Sequence, residues 1–360
     1  MKIAIIGLAN SGKTTVFNAL TRGTAETTAY SSGQLEPNLA MVKVPDARLE
    51  VLSQMFKPKK TTYADVQYVD VAGISGGGRH GAGLPPALLN YIGSADALLH
   101  VARAFTDANV PHPDGTVDLV RDIQTVDLEL AFADLAIIER RLTRLTAEIP
   151  KMPAKDKDAR IAEREVLLRL QTALEAETPI RAVTLSEDEE RSLRGYQFLT
   201  AKPLLLVLNI GESQLATPPT FTYPHTKSAV VPLAGKIEAE LAQLADADAR
   251  SFMDDLGISR PARELVIQRS YDLMGLISFL TAGADEVRAW TIRRNTPAVE
   301  AAGAIHSDLQ RGFIRAEIVA YDDLIKAGSM NEAKKLGTVR MEGKTYIVQD
   351  GDICNILHNT

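Results

Sequence analysis

Short apolar runs alternate with amphipathic stretches over the first three-quarters of the chain. Runs at residues 3–6, 39–44, 66–70, 97–101, 204–209 and 230–233 are each too short for buried helices and are bounded by turn residues, so they predict strands. Val16, Phe17 and Leu20 keep a helical spacing after the first of them. Apolar strands alternating with helices predict an α/β fold, a parallel sheet covered on both faces. A long interruption separates the strand at 97–101 from that at 204–209. Leu128, Leu135, Ile138, Leu142, Leu145 and Ile149 keep a three-four spacing, and Leu167, Leu170 and Leu174 repeat it. Pro150 and Pro153, with the charged run Lys155 to Asp158, break the two apart. This predicts a helical, coiled-coil-like hairpin over 128–199, either a plain packed helix pair or a docking arm. From about Gly275 the period shortens. Residues 277–280 and 287–292 flank Ala282-Gly283-Ala284-Asp285, a hairpin signal. A short helix over 297–306 and strands at 313–319, 345–348 and 353–357 complete a small α+β domain of β-grasp shape. The expected domains are 1–127 with 200–274, 128–199, and 275–360.

The composition is that of a soluble globular protein: 45% hydrophobic, 24% charged, 360 residues, net charge −6. A molecule of that charge is no generic polyanion binder, and sequence-specific DNA binding is not expected. A local basic face could still meet RNA. Arg288, Arg293, Arg294, Arg311 and Arg315 lie close in sequence, although residues 275–360 carry ten Lys/Arg against eleven Asp/Glu. The single cysteine, Cys354, excludes an intramolecular disulfide and a cysteine zinc cluster. No apolar run reaches the length of a membrane span, and a strand beginning at Lys2 leaves no room for a signal peptide, so the expected location is cytoplasmic.

The candidate chemistry begins where the first strand ends. Gly7-x-x-x-x-Gly12-Lys13-Thr14 follows it at once, and a helix follows that. Polyphosphate needs several backbone N–H groups aimed at one point. The glycines allow a tight turn, and the helix N-terminus adds its positive dipole end. The segment Asn10, Ser11, Gly12, Lys13, Thr14 and Thr15 is therefore the expected nucleotide-binding loop. Lys13 is expected to reach the terminal phosphates and Thr14 to ligate Mg²⁺. Asp70-Val71-Ala72-Gly73 closes a strand some 55 residues on: Asp70 can hold Mg²⁺ through water, and the Gly73 N–H can meet the γ-phosphate. Ile74 stands where many GTPases place a water-orienting glutamine. Residues 24–36 read either as a segment that closes over phosphates or as a plain connector, and the five-glycine stretch at 75–83 reads as a mobile segment ordered by nucleotide, in which Arg79 and His80 are expected to be solvated. Asn209-Ile210-Gly211-Glu212 ends a later strand, in the manner of the guanine-reading Asn-Lys-x-Asp but with Ile210 and Glu212 in place of lysine and aspartate. Ala234 and Gly235 follow the next strand, where a backbone N–H meets a base edge.

Together with Leu35-Glu36-Pro37-Asn38, these motifs resemble the YchF subfamily of Obg-like P-loop ATPases/GTPases. The C-terminal Phe279-Leu280-Thr281-Ala282-Gly283, Arg288-Ala289-Trp290-Thr291, His306 to Glu317 and Gln349-Asp350-Gly351-Asp352 carry the same resemblance. It spans nearly the whole chain. It implies a nucleotide domain, a coiled-coil arm and a TGS domain. It also implies ATP hydrolysis at least as good as GTP hydrolysis, and association with ribosomes or ribosomal RNA. An asparagine at position 10 helps hold a monovalent cation in similar P-loop proteins, so K⁺ is an implied second cofactor beside Mg²⁺. Similar proteins carry a threonine that closes on Mg²⁺ where this chain has Gln34, and an aromatic where it has Ser32. A longer neutral ligand at Gln34 orders that loop less well.

The reading that results is a translation-associated P-loop NTPase. The alternatives are a nucleotide-occupied binding adaptor with little turnover, favoured by Gln34 and Ile74, and a strictly GTP-specific GTPase. A small-molecule kinase shares the phosphate loop but not the Asn209 motif.

Overall fold

The computed structural model describes residues 1–25, 37–71 and 84–359, apart from the side chains of Pro86, Ala87 and Asp246. The expectations placed on Ser32, Gln34, Glu36, Gly73, Ile74, Arg79 and His80 lie outside the described residues.

The chain runs β1 (Lys2–Ile6), α1 (Lys13–Thr21), β2 (Asn38–Lys43), α2 (Ala47–Phe56), β3 (Lys60–Thr62), β4 (Asp65–Asp70), α3 (Pro86–Gly93), β5 (Ala97–Arg103) and α4 (Leu119–Glu148). It continues α5 (Ala154–Glu175), α6 (Glu187–Leu193), β6 (Leu204–Asn209), β7 (Ser228–Leu233), α7 (Gly235–Gln243), α8 (Asp246–Asp255) and α9 (Ala262–Leu273). The remainder is β8 (Leu276–Ala282), β9 (Glu286–Arg293), α10 (Ala298–Ile305), α11 (Ser307–Arg311), β10 (Phe313–Ala320), α12 (Tyr321–Ala327), α13 (Met330–Lys335), β11 (Arg340–Glu342) and β12 (Asp352–His358).

Two compact units result, 1–40 with 67–273, and 41–66 with 274–360. The first holds the sheet ordered β2-β4-β1-β5-β6-β7. From β4 to β7 its pairings are parallel, with Ile5 opposite both Asp70 and Leu99, and Arg103 opposite Asn209. Every residue of β5 and β6 is buried, as a strand covered on both faces requires. The carboxyl ends of β1, β4 and β6 therefore come to one edge of the sheet.

The helical insertion is α4 and α5. Ile138, Leu145, Leu167, Leu170 and Leu174 form its buried seam, with Leu135, Leu142 and Ile149 packed against it. Two details differ from the sequence reading. Leu128 is exposed, 37% accessible, and does not join the seam. The break between helices is confined to residues 149–153, while Lys155 to Asp158 lie inside α5. Pro153 caps that helix, and lysine beside a first-turn Asp156 is compatible with it.

The second unit is a sheet ordered β11-β10-β12-β8-β9-β3. The hairpin β8–β9 pairs Phe279 with Trp290, and α10 packs on that face through Ala298, Ala301 and Ala302. Residues 345–348 form only an isolated bridge at Ile347, where the sequence predicted a strand; Arg340–Glu342 takes the edge instead. Residues 41–66, assigned by sequence to the nucleotide domain, cluster with this unit. β3 adds parallel to β9, and Arg48 bridges to Asp350 at 2.8 Å. Lys60-Thr61-Thr62 is short and polar, with no alternation of apolar residues to announce a strand or the sheet it joins.

Candidate functional site: a phosphate loop between β1 and α1

β1 delivers the chain into a turn that only glycine tolerates at two points. Gly7 has φ +150, and a Cβ there would lie 2.4 Å from the Val101 carbonyl oxygen. Gly12 has φ +89, and a Cβ there would lie 2.2 Å from Nδ2 of Asn209. Asn10 adopts the left-handed region as well, φ 60, which its short polar side chain tolerates. The loop closes on α1, whose first N–H groups point into it.

Lys13 is buried at the start of α1, and its Nζ donates to the Leu8 carbonyl at 2.8 Å. Burial lowers its pKa to about 8, and the Asp70 carboxylate opposes the shift. Thr14 Oγ1 donates to Asp70 Oδ2 at 2.8 Å, and Asn38 Nδ2 approaches the same oxygen at 3.5 Å. Burial raises the Asp70 pKa, against hydrogen bonds from Thr14 and Asn38 and the charge of Lys13. The other carboxylate oxygen, Oδ1, is buried with no partner among the described residues, and so is Ser11 Oγ. An orphaned buried carboxylate oxygen beside a threonine hydroxyl is a donor set that fits a hard divalent cation.

Asn209 does not face outward. Its Nδ2 donates to the Ser11 carbonyl at 2.9 Å, and its Oδ1 accepts from the Gly235 N–H at 3.1 Å. The side chain thus ties the phosphate loop to the N-terminus of α7, and both ends of its amide are used. Ile210 is buried in an apolar cluster with Leu208, Ala234 and Ile237, and Glu212 is exposed at the start of a short 3₁₀ turn. Thr15 follows Thr14 inside α1.

Some neighbours carried no motif. Arg103 ends β5 almost fully buried, stacks on Phe105 at 4.4 Å, and donates to the carbonyls of Phe105 and Val110 at 3.2 and 2.9 Å. Asn10 Nδ2 donates to the Pro111 carbonyl at 2.9 Å, so the segment after β5 is tied to the phosphate loop. Phe105 also lies beside Gly12 and Gly211. His112 Nε2 sits 2.8 Å from Asp122 Oδ2, and Arg121 pairs with the other oxygen of Asp122 at 2.8 Å. Arg121 also approaches Asp114 at 3.9 Å, so it faces both carboxylates of the His112, Asp114 and Asp122 cluster. The available signal was a charged residue closing an apolar strand at the edge where α/β sheets bind ligands; for His112 there was none.

This loop, with Thr14 on Asp70 and Asn209 on Ser11, has the strand–glycine turn–helix geometry of a P-loop. The 50S ribosome-binding GTPase family model matches residues 2–131, and the YchF-GTPase_C model, described as a protein of unknown function (DUF933), matches 276–359. The chain is 42% identical over 363 residues to the "Ribosome-binding ATPase YchF" of Bacillus subtilis, covering 99% of this chain and 98% of the relative. The chain belongs to the YchF family. It is also 35% identical to the "Obg-like ATPase 1" of Caenorhabditis elegans, covering 98% of this chain and 91% of that one. The solved YchF GTPase of Schizosaccharomyces pombe superposes with a TM-score of 0.86 at 30% identity, covering 99% of this chain and 97% of that chain. The family's architecture of a P-loop domain, a helical insertion and a C-terminal domain is thus the architecture here. No helix among the described residues is long and apolar enough to cross a membrane.

Proposed function

We propose that this chain binds and hydrolyses a nucleoside triphosphate and works on the ribosome or its RNA. The observation that carries the reading is the buried Lys13–Thr14–Asp70 arrangement at the mouth of a glycine-strained loop. Lys13 leaves the Leu8 carbonyl for phosphate oxygens, whose charge repays the burial of its ammonium better than a neutral carbonyl does. The N–H groups at the start of α1 hold the β-phosphate, and Gly73 is proposed to sense the γ-phosphate. Mg²⁺ supplies charge neutralisation at the phosphates when bound. Thr14 and Asp70 are its proposed holders, Asp70 through water, and Asn38 orients Asp70. Asn10 is proposed to help hold K⁺.

ATP is proposed to bind at least as well as GTP. Asn209 is spent on bracing the loop, Ile210 is buried, and Glu212 is one methylene longer than the usual guanine-reading aspartate. The names of the Bacillus and Caenorhabditis relatives, both ATPases, support this. The ribosome enters from the names of the relatives and of the family model. Steady-state hydrolysis of ATP and GTP, with and without ribosomes, in K⁺ and in Na⁺, tests each part. Hydrolysis of neither nucleotide under any condition would leave the adaptor reading. GTP bound tenfold tighter than ATP would overturn the reading of Glu212.

A further inference from the structure

A cavity of about 320 Å³ is lined by none of the phosphate-loop residues. Its walls come from α4, from the turn after α5 and from residues 221–225 ahead of β7. Ile123, Leu130, Leu174 and Phe221 make most of it apolar. At its polar end stands Arg181, only 3% accessible. The guanidinium donates to the Thr200 carbonyl at 3.3 Å and to the Tyr223 hydroxyl at 2.6 Å; its Nε is buried with no partner. Tyr223 in turn donates to Asp127 Oδ2 at 2.8 Å. A cation and an anion thus line one apolar chamber, bridged by a single hydroxyl, with Glu177 exposed among the lining residues.

Burying both charges costs several kcal/mol per ion on the usual scale, and apolar residues of the same volume would hold these elements together as well. An apolar chamber of this size with a few convergent polar groups has the form of a ligand site. Arg181 and Asp127 offset one another at the polar end, with Glu177 exposed to solvent, so a bare anion meets Asp127 and a bare cation meets Arg181. A small molecule carrying both charges at one end and an apolar body at the other satisfies both.

We infer that this cavity is a second ligand site, for a free apolar α-amino acid. The carboxylate meets Arg181, the ammonium meets Asp127, and the side chain fills the space between Leu130, Leu174 and Phe221. Nothing in the site resembles a phosphate loop, so it is distinct from the nucleotide site.

The test is calorimetric titration of the full-length chain with L-phenylalanine, L-leucine, 3-phenylpropionate and phenethylamine. At least one amino acid is expected to bind saturably, and the two singly charged analogues at least about tenfold more weakly, as expected when a charge-assisted hydrogen bond is lost. Asp127→Asn and Arg181→Leu should each weaken amino-acid binding by a similar factor. If Arg181→Leu misfolds, Ala131→Leu fills the cavity from α4 without touching either charge, and should abolish amino-acid binding while nucleotide binding stays intact. No saturable binding by either amino acid, equal binding of all four compounds, or undiminished binding to Ala131→Leu would overturn the proposal.

Discussion

The phosphate loop and the base of the helical insertion solve opposite problems. At the loop, Ser11 Oγ and Asp70 Oδ1 are buried without partners among the described residues, Lys13 Nζ donates to a neutral carbonyl, and Asn10 and Gly12 hold left-handed backbone. At the insertion two carboxylates, Asp134 and Glu163, are saturated. Asp134, wholly buried in α4, accepts from the Leu199 N–H, the Thr200 N–H and the Thr200 hydroxyl at 2.7 to 2.8 Å. Glu163 accepts from Arg141 twice, from Arg160 and from the Tyr196 hydroxyl. Unmet polar atoms and strain mark a site shaped for something else to complete it; met ones mark a joint. The lesson is a separation of effects: changes at the loop should alter function with little loss of stability, and changes at the joint the reverse.

The sharpest break concerns Lys13→Ala. Removing this buried ammonium should lower hydrolysis by about 100-fold or more, the scale of losing one preorganised charge-stabilising donor. The thermal midpoint should not fall, because Lys13 is a buried cation whose main contact is one carbonyl. Unchanged turnover with normal nucleotide affinity would remove the central reading.

Asp134→Ala is the mirror image. It strands the Leu199 and Thr200 amides in the interior, at a cost of roughly 3 kcal/mol. Urea unfolding should show that loss while nucleotide affinity per folded molecule is unchanged. A loss of affinity without a loss of stability would dissolve the contrast.

Acid sharpens the same comparison. Burial opposes ionisation of Glu163, but bonds from Arg141, Tyr196 and Arg160 outweigh it and bring its pKa to about 2. A carboxylate lowered in the folded state contributes stability above its unfolded pKa and loses it as pH falls toward about 2. The helical circular-dichroism signal should therefore lose thermal stability below about pH 4.5, and Glu163→Gln should flatten that dependence.

The loop responds to base instead. Lys13 is lowered to about 8, so the folded chain binds fewer protons than the unfolded one between about pH 8 and 10.5, and this group's contribution to stability rises across that window. Phosphate returns the proton. Nucleotide binding at pH 8 should take up roughly half a proton, read by calorimetry in buffers of different ionisation enthalpy, and Lys13→Ala should abolish that uptake.

The smallest effect belongs to the base. Glu212→Asp should shift the ATP-to-GTP affinity ratio toward GTP by several-fold, since one base-edge contact is worth about 1 kcal/mol. Pairing it with Ile210→Lys is less informative than the motif suggests. Ile210 is buried with Leu208 and Ala234, so a lysine there adds a desolvation cost unrelated to base choice.

The sequence by itself determined the phosphate-loop motif, the parallel-sheet class of the domain around it, the helical insertion and the family. Those features are local: a glycine at a forbidden φ, a lysine at a helix start and a leucine every third or fourth residue each act within a few residues along the chain. Only the tertiary structure decided that Asn209 braces Ser11 and Gly235, and that Arg103 closes on the loop beside Phe105. It also decided that β3 joins the sheet of the C-terminal unit, and that Arg181 and Asp127 share a cavity. These pairings join residues tens to hundreds of positions apart. They are selected by which buried donors find acceptors once the apolar surfaces have packed, and no short-range pattern in the chain carries that information.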